Sequence, residues 1–106
     1  MATIVRITVE NDDRVETYYE PAVTPQVQEA LEVLRERQWS VEVEQVDADE
    51  EIESLRELAL EEYKQAAALK GASSMWVVYL LAAKLCEQQI EAAEAAAQGR
   101  GSLLQD

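Results

Sequence analysis

Any chemistry in this sequence would have to come from carboxylates, tyrosines and three lysines, and the carboxylates are the groups that cluster. Of the 22 acidic residues, two groups are dense enough to act together. Asp47, Asp49, Glu50 and Glu51 fall within five consecutive positions, and hard cations such as Mg²⁺ or Ca²⁺ take several carboxylate or carbonyl oxygens. The run lacks the spacing and the glycine of an EF-hand loop, and acids in a first helical turn are equally accounted for by the helix dipole. Glu42 and Glu44, with Glu10, Glu16 and Glu20 on neighbouring strands, offer paired carboxylates of the kind glycosidases use. That reaction needs a pocket that drives two pKa values apart. No residues here suggest one, and a solvated sheet face explains the same pattern.

Other chemistries are excluded by composition. The sequence has no histidine, which removes Ser-His-Asp and Cys-His catalysis, the usual histidine metal sites and a histidine pH switch. A single cysteine, Cys86, forbids an internal disulfide, a CxxC pair and an all-cysteine zinc site. Cys86 lies on a helix one turn from Ala83 and from Ile90, where a thiol behaves as a small hydrophobe, and Lys84 faces elsewhere. Three glycines leave no glycine-rich phosphate loop. The expectation is a protein that is not an enzyme, with no catalytic residues, no cofactor and no metal.

The formal net charge of −13 lies beyond the magnitude of about 2 to 8 usual for a small soluble domain. Direct contact with nucleic acid or an anionic membrane is disfavoured, because the nine basic residues are scattered singly or in pairs. With 48% apolar residues the chain folds, and 106 residues make one domain, expected over residues 1–98 with a flexible tail at 99–106. The start, MATIVRITVE, lacks the basic and long apolar regions of a signal peptide, so the expected location is cytoplasmic. Met75 to Cys86 is the longest apolar-rich run, twelve residues interrupted by Lys84, where a membrane span takes about 20.

Hydrophobic periodicity supplies the elements. TIVRITVE alternates, Asn11-Asp12-Asp13 is turn chemistry, and RVETYYE alternates again, which predicts a β-hairpin. Thr24-Pro25 starts a helix running to about Gln38, whose stripe is Val27, Ala30, Leu31 and Leu34. WSVEVEQV makes a third strand, with Trp39, Val41 and Val43 inward and Glu42 and Glu44 outward. Ile52, Leu55, Ala59, Tyr63 and Ala66 form the stripe of a second helix that stops at Lys70-Gly71. Ser73 or Ser74 caps a third helix, from about Met75 to Gln98. The predicted fold is α+β, in the order ββαβαα: two layers, with a three-stranded sheet, hairpin plus one strand, covered on one face by three helices.

The run YEPAVTPQVQEALEVL followed by VEVEQVD, within residues 15 to 47, resembles the N-terminal βαβ half of thioredoxin-like proteins. Its Thr-Pro at the helix start is most similar in spacing to the circadian clock KaiB proteins. The resemblance implies a four-stranded sheet and a second half with a cis-proline segment, neither of which is legible here. A glutaredoxin-like protein would place Cys-Pro-x-Cys near Thr24 to Val27, so the resemblance carries no redox cysteines.

The third helix starts apolar nearly all round, with Met75, Trp76, Val77, Val78, Tyr79, Leu80, Leu81 and Leu85. Only one stripe of a helix can face its own sheet, so the opposite side meets the second helix, another subunit or a partner. Met75, Trp76, Val78 and Tyr79, with the acidic Glu42 and Glu44, are the expected partner-binding residues. The favoured function is an acidic protein-interaction module, a homodimer through helix three or bound to another protein. A nucleic-acid mimic that blocks a basic DNA- or RNA-binding protein is the alternative, presenting Glu16, Glu20, Glu42, Glu44, Glu50, Glu53, Glu57 and Glu61. High Glu, Ala and Leu content with regular caps also suits a de novo designed α+β scaffold.

Overall fold

In the computed structural model, which describes residues 2–103, six elements follow the expected order: β1 (Thr3–Glu10), β2 (Val15–Glu20), α1 (Pro25–Glu36), β3 (Ser40–Asp47), α2 (Ala48–Leu69) and α3 (Trp76–Ala97). The strands make one antiparallel sheet in the order β2-β1-β3. Both edge strands run antiparallel to β1 and so parallel to each other, and α1 carries the chain from one edge to the other.

Local chemistry accounts for the joints. Asn11 Oδ1 accepts the Asp13 and Arg14 N–H groups, each at 2.9 Å, and closes the hairpin turn. Thr24 Oγ1 accepts the Val27 N–H at 3.3 Å, with Pro25 in the first turn of α1. The same helix ends in a Schellman motif: Trp39 N–H donates to the Leu34 carbonyl and Gln38 N–H to that of Arg35, both at 3.0 Å. Gln38 sits at φ 71°, the left-handed position that glycine usually fills, and Leu34 and Trp39 on either side of the turn pack against the core cluster that includes Val27 and Leu31. At α2, Asp47 Oδ1 accepts the Glu50 N–H at 3.1 Å, with Asp49, Glu50 and Glu51 in the first turn, and Gly71 at φ 86° follows its last residues.

The one-sided helical cover is corrected by the structure. Val5, Ile7 and Val9 bury against Val27 and Leu31 of α1, whereas Ile4 and Tyr19 bury against Ala48, Ile52 and Leu55 of α2 and Ala93 and Ala96 of α3. Successive strand residues point to opposite faces, so these two clusters lie on opposite sides of the sheet. The β1–β2 register makes the reason explicit: Arg6 stands opposite Tyr19, while Ile7 stands opposite Tyr18. The apolar row of β1 therefore serves the α1 face, and Tyr19 of β2 serves the other.

Helices α2 and α3, of 22 residues each, are about 33 Å long by the helical rise of 1.5 Å per residue. Only the first turns of α2 and the last turns of α3 join the core over the sheet. The remainder projects as a helical hairpin, which gives the molecule its longest extent of 50 Å. Within the stretch expected as a flexible tail, Gly99 and Arg100 bond back to the end of α3, and Gly101 to Leu103 lie against β2. Ser102 N–H donates to the Tyr19 carbonyl at 2.9 Å, Ser102 Oγ accepts the Tyr19 N–H at 2.9 Å, and Leu103 N–H reaches the buried Glu20 carboxylate at 2.8 Å. The rest of that tail lies outside the described residues.

Candidate functional site

The sequence group at the start of α3 divides in two. At 100° per residue, Trp76, Tyr79, Ala83, Cys86, Ile90 and Ala93 share the side that faces α2. Ala83, Cys86 and Ala93 are buried there, and Trp76 and Tyr79 are half-buried. Lys70 stacks its ammonium 5.8 Å from the centre of the Trp76 ring. Tyr63 hydroxyl donates to Glu87, and Arg56 pairs with Glu94 at 3.7 Å, tying the two helices further. Trp76 and Tyr79 thus belong to the hairpin's own seam and are less available to a partner than the sequence suggested.

Val77, Val78, Leu81 and Leu85 fall on the opposite side of α3 and stay in the open. Their exposures are 42, 53, 57 and 58%, and Met75 beside them is 49% exposed. Met75 and Val78 are among the partner-binding residues expected from the sequence and Leu81 and Leu85 are not, although both fall at the i+3 and i+7 helical spacing from Val78. No acidic residue falls between Met75 and Cys86 in a chain that carries 22. The stripe continues toward the sheet into a surface crevice of about 380 Å³ between α3 and β2, lined by Leu85, Gln89, Ala92, Val15 and Thr17.

Glu42 and Glu44 are exposed on β3, at the opposite end of the sheet order from β2, so they form no common site with the α3 stripe. Nor do the five strand carboxylates converge. Glu16 and Glu20 stand opposite Val9 and Val5 on the α1 face, whereas Glu44 and Glu42 stand opposite Arg6 and Thr8 on the other. Glu44 is an ion-pair partner: Arg6 donates to it at 2.5 Å and grips Glu51 with two bonds at 2.8 and 2.9 Å. Tyr19 hydroxyl donates to the same Glu51 at 2.6 Å. The hydrogen bond to Glu51 holds the Arg6 pKa above its usual value. Burial, reinforced by the bond to Glu51, pushes the Tyr19 hydroxyl well above the ordinary tyrosine range. This cluster anchors α2 to the sheet, since every strong acceptor in it is matched by a donor.

Cys86 is a free, buried thiol, and its pKa is raised by burial and by the nearby Glu62 carboxylate, the reverse of what a nucleophile needs. Among the described residues, no three acidic or thiol groups come together as a metal cage, and no helix is long and apolar enough to cross a membrane. No protein-family model, no curated protein and no solved structure matches this chain.

Proposed function

We propose that this chain is a non-enzymatic protein-interaction module that self-associates through the outward face of α3. The observation that carries the reading is the exposed Val77, Val78, Leu81, Leu85 stripe on the side of α3 turned away from α2. An apolar row of this length on a projecting hairpin loses free energy to water unless it is covered. Charge supports a second copy as the cover. Two molecules of net charge −13 repel over most of their surfaces, and the acid-free start of α3 is where that repulsion is least. Packed two-fold, the hairpins would form a four-helix arrangement around the stripe. A free cysteine suits a reducing compartment such as the cytoplasm.

Sedimentation equilibrium of the intact chain tests the reading. A concentration-dependent dimer that Leu81→Glu converts to a folded monomer is the expected result; a wild-type chain that stays monomeric at high concentration overturns self-association.

A second reading, nucleic-acid mimicry, draws on the outer face of α2. Glu50, Glu53, Glu57 and Glu61 are all exposed there in a regular row of about one carboxylate per 5 to 6 Å of helix, sparser than the spacing of about 3.4 Å per charge along one nucleic-acid strand. Glu20 drops out of the mimic surface because it is buried. Binding to a basic nucleic-acid-binding protein that collapses between about 50 and 200 mM salt would favour this reading.

A further inference from the structure

Among the described residues, the outer edge of β3 has no strand partner. On the far side of the sheet, Tyr19 turns both its N–H and its carbonyl outward to Ser102, and this sets the parity of the whole ladder. Val5, Ile7 and Val9 must then bond to β2, and Ile4, Arg6, Thr8 and Glu10 to β3, through Val46, Glu44, Glu42 and Ser40. Ala48 N–H, which donates to the Ala2 carbonyl at 2.8 Å, obeys the same parity. Val41, Val43 and Gln45 are left directing their main-chain donors and acceptors away from the sheet, and among the described residues nothing hydrogen-bonds to them. Such an edge is a template for an added strand.

Charge decides which strand it can accept. Antiparallel pairing with a second copy's β3 fails in each central register: Val43 opposite Val43 sets Glu42 against Glu44, and a shift either way sets Glu42 against Glu42 or Glu44 against Glu44. Like charges directly opposite destabilise a ladder. Arg6 does not relieve the clash, because it is already shared between Glu44 and Glu51. Asp47 and Glu50 extend the negative wall past Glu44. A strand with Lys or Arg opposite Glu42 and Glu44 and a β-branched residue opposite Val43, itself 42% exposed, satisfies both faces at once.

We propose that the β3 edge binds an extended basic segment of another protein, with basic and apolar residues alternating, as a fourth strand. This surface is separate from the α3 stripe and stands whether or not the chain dimerises.

Amide hydrogen exchange read by NMR, with three synthetic peptides, tests it. Ac-TKVKVKT-NH2 is expected to slow exchange at Val41, Val43 and Gln45 and to bind more weakly as salt rises. Ac-TEVEVET-NH2 should not bind. Ac-TKPKPKT-NH2 keeps the charge but cannot complete the ladder, and should give no protection. In Glu42→Lys, affinity for the first peptide should fall about tenfold, as a favourable cross-strand pair becomes an unfavourable one. Absence of protection at the three β3 amides, or equal binding of the proline peptide, overturns the proposal.

Discussion

If the chain self-associates as proposed, truncating the α3 stripe should dissociate the dimer while leaving the monomer intact. Leu81 and Leu85 are 57 and 58% exposed, so somewhat more than half of each side chain remains to be covered. Full burial of a leucine is worth about 1.5 to 3 kcal/mol, and covering the exposed part therefore adds about 1 kcal/mol per side chain. A two-fold interface uses each position twice, so Leu81→Ala should cost about 2 kcal/mol of association, or about thirtyfold in Kd. With Leu85→Ala added, the loss should approach about a thousandfold, less any coupling between neighbours. Fold stability should change by about 0.5 kcal/mol or less, because both sites are exposed and alanine is the best helix former. Sedimentation equilibrium over roughly a hundredfold range of concentration reads the association, since dimer stability is concentration-linked. Thermal unfolding of dilute samples reads the monomer. A double variant that dimerises within about threefold of wild type would refute the assignment of the interface to this stripe.

Three further outcomes follow from the core. Tyr19 holds its proton above the ordinary tyrosine pKa, so above about pH 10 the unfolded chain loses a proton that the folded chain keeps, and stability falls as pH rises. Tyr19→Phe should therefore be less stable than wild type at neutral pH, with the gap closing above about pH 10 by up to about 1.4 kcal/mol per pH unit; parallel curves in urea titrations would contradict this. Cys86, buried and with a raised pKa, should react with iodoacetamide at neutral pH far more slowly in the native protein than in urea, and equal rates would show that the hairpin seam is open. A Cβ at Gly101 would overlap the Glu20 carboxylate, so Gly101→Ala should turn Glu20 away and free the Leu103 N–H, at a cost of about 1 kcal/mol, seen as faster exchange of the Leu103 amide. Unchanged exchange there would refute that account.

Period and cap chemistry were sufficient for the order of the elements, although the serine cap expected for α3 is not found: its N-cap is Met75, with no side-chain cap bond. The stripe of α1, the Thr24-Pro25 start, the Asn11 turn and the ββαβαα order are properties of a few neighbouring residues, and they hold whatever the rest of the chain does. Composition likewise determined the loss of histidine and disulfide chemistry. Which neighbour each apolar face meets is a different matter, because periodicity defines a face without naming its partner. Only the β1–β2 register, placing Tyr19 beside Arg6 rather than beside Ile7, puts helices on both sides of the sheet. Only the hairpin geometry turns Trp76 and Tyr79 toward α2 and leaves Leu81 and Leu85 in water, since a helix that is apolar nearly all round carries no local signal for which side will be covered. The pairing of Arg6 with Glu44 and Glu51, and the open edge of β3, arise from contacts 38 and 45 residues apart and from ladder parity, which exist only once the chain has folded.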